Sequence, residues 1–93
     1  MIVGTCFLRL HLPGSRSLKD KRKVVVSLCD RLRRRFRVSV AEIADLDLWD
    51  ATTLGVACVA AREDVCRKLL HELICWMDGA GPYEVVEATV EIT

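Results

Sequence analysis

The order in which two hydrophobic periodicities alternate along this chain restricts its fold more than any other feature. Apolar side chains recur at every second residue in 2–12, 53–60 and 84–92, and the short segment 37–43 is rich in β-branched residues. They recur at every third or fourth residue in 17–37 and 62–78. Period two is typical of strands and period 3.6 of helices. The order strand, helix, strand, strand, helix, strand predicts a ferredoxin-like βαββαβ fold of the α+β class, a four-stranded antiparallel sheet with two helices on one face.

The length of the chain predicts one domain, residues 1–93, because 93 residues suffice for one two-layer core but not for two. No apolar run approaches the roughly 20 residues of a membrane span. The residues after Met1 include neither a basic region nor a small-residue cleavage site, so no secretory signal is recognised. We therefore expect a cytoplasmic protein without membrane contact.

The first helical segment begins with a capping signal and has one apolar stripe. Ser17 is the expected N-cap, and with Asp20 it forms an S-x-x-D pattern similar to a capping box. The stripe consists of Val24, Val25, Leu28 and Leu32, with Leu18, Cys29 and Phe36 beside it. At about 100° per residue, Lys21 and Arg35 fall near the stripe, and we expect both to extend their charged ends outward to solvent.

The same segment carries most of the positive charge. Residues 16–37 contain ten Lys/Arg and two Asp, a net charge of +8, whereas the rest of the chain carries −7. Seven of these cations form a predicted basic strip on the outer helix face and at its ends: Arg16, Lys19, Arg22, Lys23, Arg33, Arg34 and Arg37. Such a strip is typical of a surface that binds nucleic acid, and the alternative is a solvated face without a ligand.

The sheet face away from the helices is predicted to be partly apolar. Strand alternation places Val3, Phe7, Val59 and Val85 on this outer face, and Val86 on the inner one. Apolar side chains in such number are unusual on a solvated surface, so we expect a second copy to cover them in a homodimer or higher oligomer.

The five cysteines do not form a recognisable framework. Their number is odd and no C-x-x-C pair occurs, which disfavours both disulfides and a zinc site. Four of them lie in apolar patterns and are expected in the core: Cys6, Cys29, Cys58 and Cys66. Cys75 lies one turn after His71 on the polar side of the second helix, and this pair alone has too few ligands for a metal. We expect no metal and no cofactor.

The connection between the two middle strands is acidic. Asp45, Asp47 and Asp50 surround Trp49, but the turn glycine and distal glutamate of an EF-hand loop are missing. Instead of a cation site, we expect Trp49 to pack beside the sheet, or this connection to contact another subunit.

No catalytic constellation is recognisable. The chain contains no Asn and no Gln, so it lacks the carboxamide with which small ferredoxin-like acylphosphatases position water. No Ser/His/Asp, Cys/His or paired-carboxylate pattern compensates, and we expect no enzyme activity. Anion binding is simpler, because Arg16, Lys19 and the N–H groups at the start of the first helix favour a phosphate.

Nearly the whole chain resembles the YlxP-like family of small bacterial proteins of unknown function. The resemblance rests on LPGSRSLKDKRKVVVSLCDRLRRRFRVSVAEI, DLWDATTLGVACVA and the closing strand. It implies a ferredoxin-like fold and, in many bacteria, a gene beside those of transcription and translation factors, near ribosome-binding factor A. It implies no activity. This chain departs from the pattern at Arg37, where Asn is expected, and at Asp50, where Gln is expected.

Charge distribution and resemblance together predict a non-catalytic protein that binds RNA or the ribosome through its basic helix. The alternative is an oligomeric protein-interaction or small-ligand module of the ACT-like kind, which uses the outer sheet face and has no nucleic-acid role. The two hypotheses differ in salt dependence and in partner.

Overall fold

The structure is a computed structural model that describes all 93 residues. Its elements follow the predicted order and are β1 (Ile2–His11), α1 (Leu18–Phe36), β2 (Ser39–Ala44), β3 (Ala51–Ala60), α2 (Glu63–Met77) and β4 (Glu84–Ile92). The strands form one antiparallel sheet in the order β2-β3-β1-β4. The ferredoxin-like fold is confirmed. Neither helix combines the length and the apolar character that crossing a membrane requires.

The core lies between the sheet and the helices. Eighteen buried residues form one cluster, to which both helices and the inner face of the sheet contribute. Leu28 and Leu32 of α1 are fully buried, which confirms the predicted stripe. Four cysteines are buried as predicted, and desolvation raises the pKa of the Cys6 and Cys58 thiols to about 11. Val65 belongs to the apolar periodicity of the second helical segment, but it is 48% exposed and lies outside the core.

Helix α1 begins as its sequence predicts. The Ser17 side chain accepts a hydrogen bond from the backbone N–H of Asp20 at 3.1 Å. The Asp20 carboxylate accepts one from the N–H of Arg16, also at 3.1 Å. At the other end, Arg37 is the C-cap in a left-handed conformation, with φ 51° and ψ 51°.

The expectation that Lys21 extends outward is wrong. Its side chain is fully buried, and its ammonium group lies 3.0 Å from the Glu42 carboxylate. Glu42 also accepts a hydrogen bond of 2.7 Å from the hydroxyl of Thr52. The same ammonium donates to the carbonyl oxygens of Asp45, Leu46 and Ala51 at 2.8, 3.2 and 3.2 Å. These groups, here called the Lys21 clamp, satisfy a buried charge and join α1 to β2 and β3.

The predicted outward position of Val85 is also wrong. The pairing of β1 with β4 shifts between Arg9 and Leu10, so that Val85 lies opposite the buried Leu10 and packs against the core. Val86 occupies the resulting bulge and is 59% exposed, although alternation predicted it inside. A bulge inserts one residue and exchanges the faces beyond it.

The β2–β3 loop, residues 45–50, is anchored at several points. The Trp49 carbonyl accepts a hydrogen bond from the Ser15 hydroxyl at 2.5 Å, and the Asp50 carbonyl accepts one from the Leu12 N–H at 2.7 Å. Asp45 adopts a left-handed conformation, and its carboxylate accepts a bond from the Thr53 hydroxyl at 2.6 Å. The Trp49 side chain is nevertheless 53% exposed, so it does not pack down beside the sheet as expected.

Candidate nucleic-acid interface

The outer face of α1 carries four exposed cations of the predicted basic strip. Lys19, Arg22, Lys23 and Arg34 follow one another along this face beside Val26 and Ser27. The opposite side of the helix is fixed by Leu28 and Leu32 in the core. Because the helix is held from behind, the cations extend from a fixed backbone into solvent.

Three of these cations have no anionic partner within the chain. Lys19, Arg22 and Lys23 form neither a salt bridge nor a side-chain hydrogen bond with other residues. Arg34 uses only its Nε, which donates to the Asp30 carbonyl at 3.3 Å. The guanidinium of Arg34 therefore keeps its terminal N–H groups available, and these four side chains together form what we call the free strip.

Arg33 differs from its neighbour Arg34, although both were predicted in the strip. Its Nη2 donates to the carbonyl of Val40 on β2 at 2.8 Å, and its Nη1 lies 3.3 Å from the Asp30 carboxylate. Its side chain is half exposed. Arg33 therefore stabilises the contact of α1 with β2 and has fewer donors left for a ligand.

The remaining two predicted strip residues lie at the ends of the helix. Arg16 precedes the N-cap and is exposed. Its backbone N–H is already bonded to the Asp20 carboxylate, which stands where a phosphate at the helix start was expected. Arg37 follows the last turn and lines a separate groove with Lys68 of α2. The structure thus divides the predicted strip into a continuous middle part and two ends.

Arg31 and Arg35 of α1, which are not part of the predicted basic strip, contact an aromatic cluster. The guanidinium carbons of Arg31 and Arg35 lie 5.5 and 5.6 Å from the ring centre of Trp76, and Phe36 packs edge-on against Trp76 at 5.7 Å. Arg31 also donates to the Ala80 carbonyl at 2.8 Å. These contacts are of the cation–π type and join α1 to α2. The sequence places Trp76 within the apolar periodicity of the second helical segment, but it does not indicate these partners.

The open sheet face, opposite the helices, has an apolar side and an acidic side. Val3 lies opposite Val59, and Phe7 opposite Gly55, where Ile43 covers the glycine. Phe7 is 46% and Val59 64% exposed. On β4 this face turns acidic with Glu84, Glu87 and Glu91, two of which lie 3.7 Å from His11 and Arg9 of β1.

The other candidate residues do not converge on a site. Asp45 is bonded to Thr53, and no group of three His, Cys, Asp or Glu side chains suited to a metal ion is present. The Cys75 thiol lies 3.7 Å from Nε2 of His71 on the exposed side of α2, as the spacing predicted. No third His, Cys, Asp or Glu side chain joins this pair in a group suited to a metal ion.

The known proteins to which this chain is similar have no assigned activity. The family described as "Protein of unknown function (DUF503)" matches residues 3–90. The uncharacterized protein YlxP of Bacillus subtilis (strain 168) is 31% identical over 77 residues, which cover 83% of this chain and 80% of that protein. Neither description names a ligand or a reaction.

Proposed function

We propose that this chain, which belongs to the DUF503 family of proteins of unknown function, is a non-catalytic cytoplasmic protein that binds RNA. The surface proposed to bind is the free strip of α1, and the proposed ligand is structured RNA such as that of the ribosome. The proposal concerns a binding role without chemistry on the ligand.

One observation carries this proposal: the free strip presents four cations from one fixed helix face that includes a single acid. Only Asp30 interrupts the strip, and it is engaged with Arg33. Exposed Lys and Arg side chains commonly contact phosphate oxygens in nucleic-acid complexes. Their charge also attracts a polyanion at long range, and bound phosphates release counterions.

The chemistry of the free strip predicts binding without sequence preference. Lys and Arg are its only long donors, and the chain lacks the Asn and Gln side chains that read adenine. Contacts to phosphates orient a protein but carry no sequence information. An RNA and its scrambled version of equal structure should therefore bind equally, and a large preference would contradict binding through phosphates alone.

The test is a titration of the triple variant Arg22→Ala, Lys23→Ala, Arg34→Ala with a structured RNA over a range of salt concentrations. For each phosphate that the variant no longer neutralises, the slope of log affinity against log salt should fall by about 0.7 to 0.9. The melting curve should hardly change, because the three side chains are exposed.

A matched control removes the same charge from other surfaces. The variant Arg9→Ala, Arg62→Ala, Arg67→Ala changes three exposed cations that are paired with acids on β4 and α2. If binding depends on net charge alone, both triple variants weaken it equally. If the free strip binds, only the first does. Equal affinity of the first variant and the unmodified protein would contradict the proposal.

The open sheet face favours a second candidate function, an oligomeric interaction or small-ligand module of the ACT-like kind. Phe7, Ile43 and Val59 are each about half exposed or more on this face. Such side chains are typical of a surface that a second copy or an apolar ligand covers. Light scattering at about tens of micromolar protein, where a marginal dimer forms, should then show a dimer that Phe7→Asp converts to a monomer.

A further inference from the structure

The β2–β3 loop is the most apolar exposed segment of the chain. Leu46, Leu48 and Trp49 lie within four consecutive residues and are 56%, 48% and 53% exposed. No other loop exposes three large apolar side chains. Clustered apolar exposure of this kind marks interaction surfaces.

This loop is also held in place. The fully buried Lys21 donates to the carbonyls of Asp45 and Leu46 at its start and of Ala51 just after it. Ser15 and Leu12 bind the carbonyls of Trp49 and Asp50. The apolar side chains therefore stand on a backbone whose conformation is already fixed. A preorganised aromatic anchor loses little conformational freedom when it binds.

The opposite end of the molecule contains a groove of complementary character, the α1–α2 groove. Its volume of about 490 Å³ lies in the roughly 300–1,000 Å³ range of pockets that accept apolar groups. Phe36, Val65 and Leu69 are its apolar lining residues, and Val65 is 48% exposed. The cations Arg35, Arg37 and Lys68, here called the rim, also line it, against one acid, Glu72.

Charge and distance indicate which surface fits this groove. The β2–β3 loop contains three Asp and no Lys or Arg, whereas the groove carries a net charge of +2. The loop lies beside the start of α1 and the groove at its end, so about 28 Å of a 19-residue helix separates them. A loop therefore cannot reach the groove of its own chain.

We propose that the β2–β3 loop of one copy of this protein docks in the α1–α2 groove of a second copy. Trp49 and Leu48 of the loop cover the exposed Val65 of the groove. The loop aspartates Asp47 and Asp50 face the cations of the rim. Opposite charges at the margin of an apolar contact orient the partners and speed their encounter.

This arrangement has a defined symmetry. Because loop and groove lie at opposite ends of a molecule 42 Å long, two copies placed antiparallel form the contact twice and close as a dimer. The contact does not use Lys19, Arg22 or Lys23, so it is independent of the proposed RNA binding. It also leaves the open sheet face uncovered.

The experiment measures self-association by sedimentation of the full chain. Trp49→Ala in the loop and Val65→Glu in the groove are each expected to weaken it by at least about ten-fold. The first variant truncates an aromatic anchor, and the second sets a carboxylate against the apolar Trp49 and Leu48 and the loop aspartates. Because both side chains are exposed, the variants should keep the melting temperature of the unmodified protein. Val86→Ala, a similarly exposed residue on β4, is the matched control and should not change association.

A mixing experiment tests the pairing itself. The Trp49→Ala protein keeps an intact groove, and the Val65→Glu protein keeps an intact loop. An equimolar mixture should associate more strongly than either variant alone, because one intact loop then meets one intact groove. The proposal is overturned if the unmodified protein is monomeric, if the mixture associates no better than its components, or if Phe7→Asp abolishes association while Trp49→Ala has no effect.

Discussion

The Lys21 clamp and the free strip occupy the same turns of α1 but use lysine and arginine in opposite ways. Lys21 is fully buried and bonded to four oxygen atoms, whereas Lys23, two residues later, is exposed and without a partner. Arg33 and Arg34 differ in a similar way: Arg33 donates to a carbonyl of β2, whereas Arg34 donates only to a carbonyl of its own helix. The charge of a segment therefore overstates the charge available to a ligand, because the fold itself uses part of it.

The largest effect should come from the clamp. Lys21→Met leaves the largely buried Glu42 carboxylate and three carbonyl groups without their cation, so the free energy of unfolding should fall by about 3–5 kcal/mol. Lys23→Met, the matched control on the strip, should stay within about 0.5 kcal/mol. Urea denaturation measures both. Equal stability of the two variants would remove the distinction between clamp and strip.

The next effect concerns the buried side of α1, which holds the strip in place. Leu32→Ala creates a cavity at a fully buried position and should lower the free energy of unfolding by about 2–5 kcal/mol. Val26 lies on the same helix but is 60% exposed, and Val26→Ala should change stability by less than about 0.5 kcal/mol. If both variants melt alike, the helix is not anchored as described.

The buried cysteines should make the stability of the protein depend on pH in the alkaline range. Burial raises the pKa of Cys6 from its ordinary 9.0 to about 11. Above pH 9 the unfolded chain therefore loses this proton while the folded chain keeps it, so stability falls as the pH rises from about 9 to 11. Thermal melts across this range should show the fall. Cys6→Ala should make it less steep without abolishing it, because burial also raises the pKa of Cys58 to about 11.

The smallest effect concerns the end of α1. Arg37 has a left-handed backbone, which glycine adopts without steric cost, so Arg37→Gly should raise the free energy of unfolding by about 0.5–1 kcal/mol. Arg22→Gly, in the second turn of the helix, should lower it by about 1 kcal/mol instead. Chemical denaturation measures both changes. If the two substitutions shift the free energy of unfolding in the same direction, the left-handed backbone of Arg37 is not strained.

The fold could be predicted from local sequence patterns. The two periodicities gave the order of elements, and the side chain of Ser17 gave the start of α1. The buried stripe followed because Val25, Leu28 and Leu32 repeat at helical spacing. These features depend on neighbours within a few residues, which a sequence displays directly.

The positions that were mispredicted depend on distant partners. Lys21 lies four residues before Val25 and thus on the stripe, but buried lysines are rare and its acceptors come from residues 42–51. Val85 changed faces because a bulge opposite Arg9 and Leu10 interrupts the alternation, and the strand's own sequence gives no sign of it. The bond of Arg33 is also not visible in the sequence, because its acceptor is a backbone carbonyl of β2.

The central position of β1 determines how the chain must reach its native state. β1 pairs with β3 about fifty residues later and with β4 about eighty residues later, so its ladders close long loops before they gain stability. Helix α1 forms from local bonds, whereas the sheet that covers its inner side requires distant encounters. High contact order slows folding, so we expect the closure of these β1 ladders to limit the folding rate of the chain.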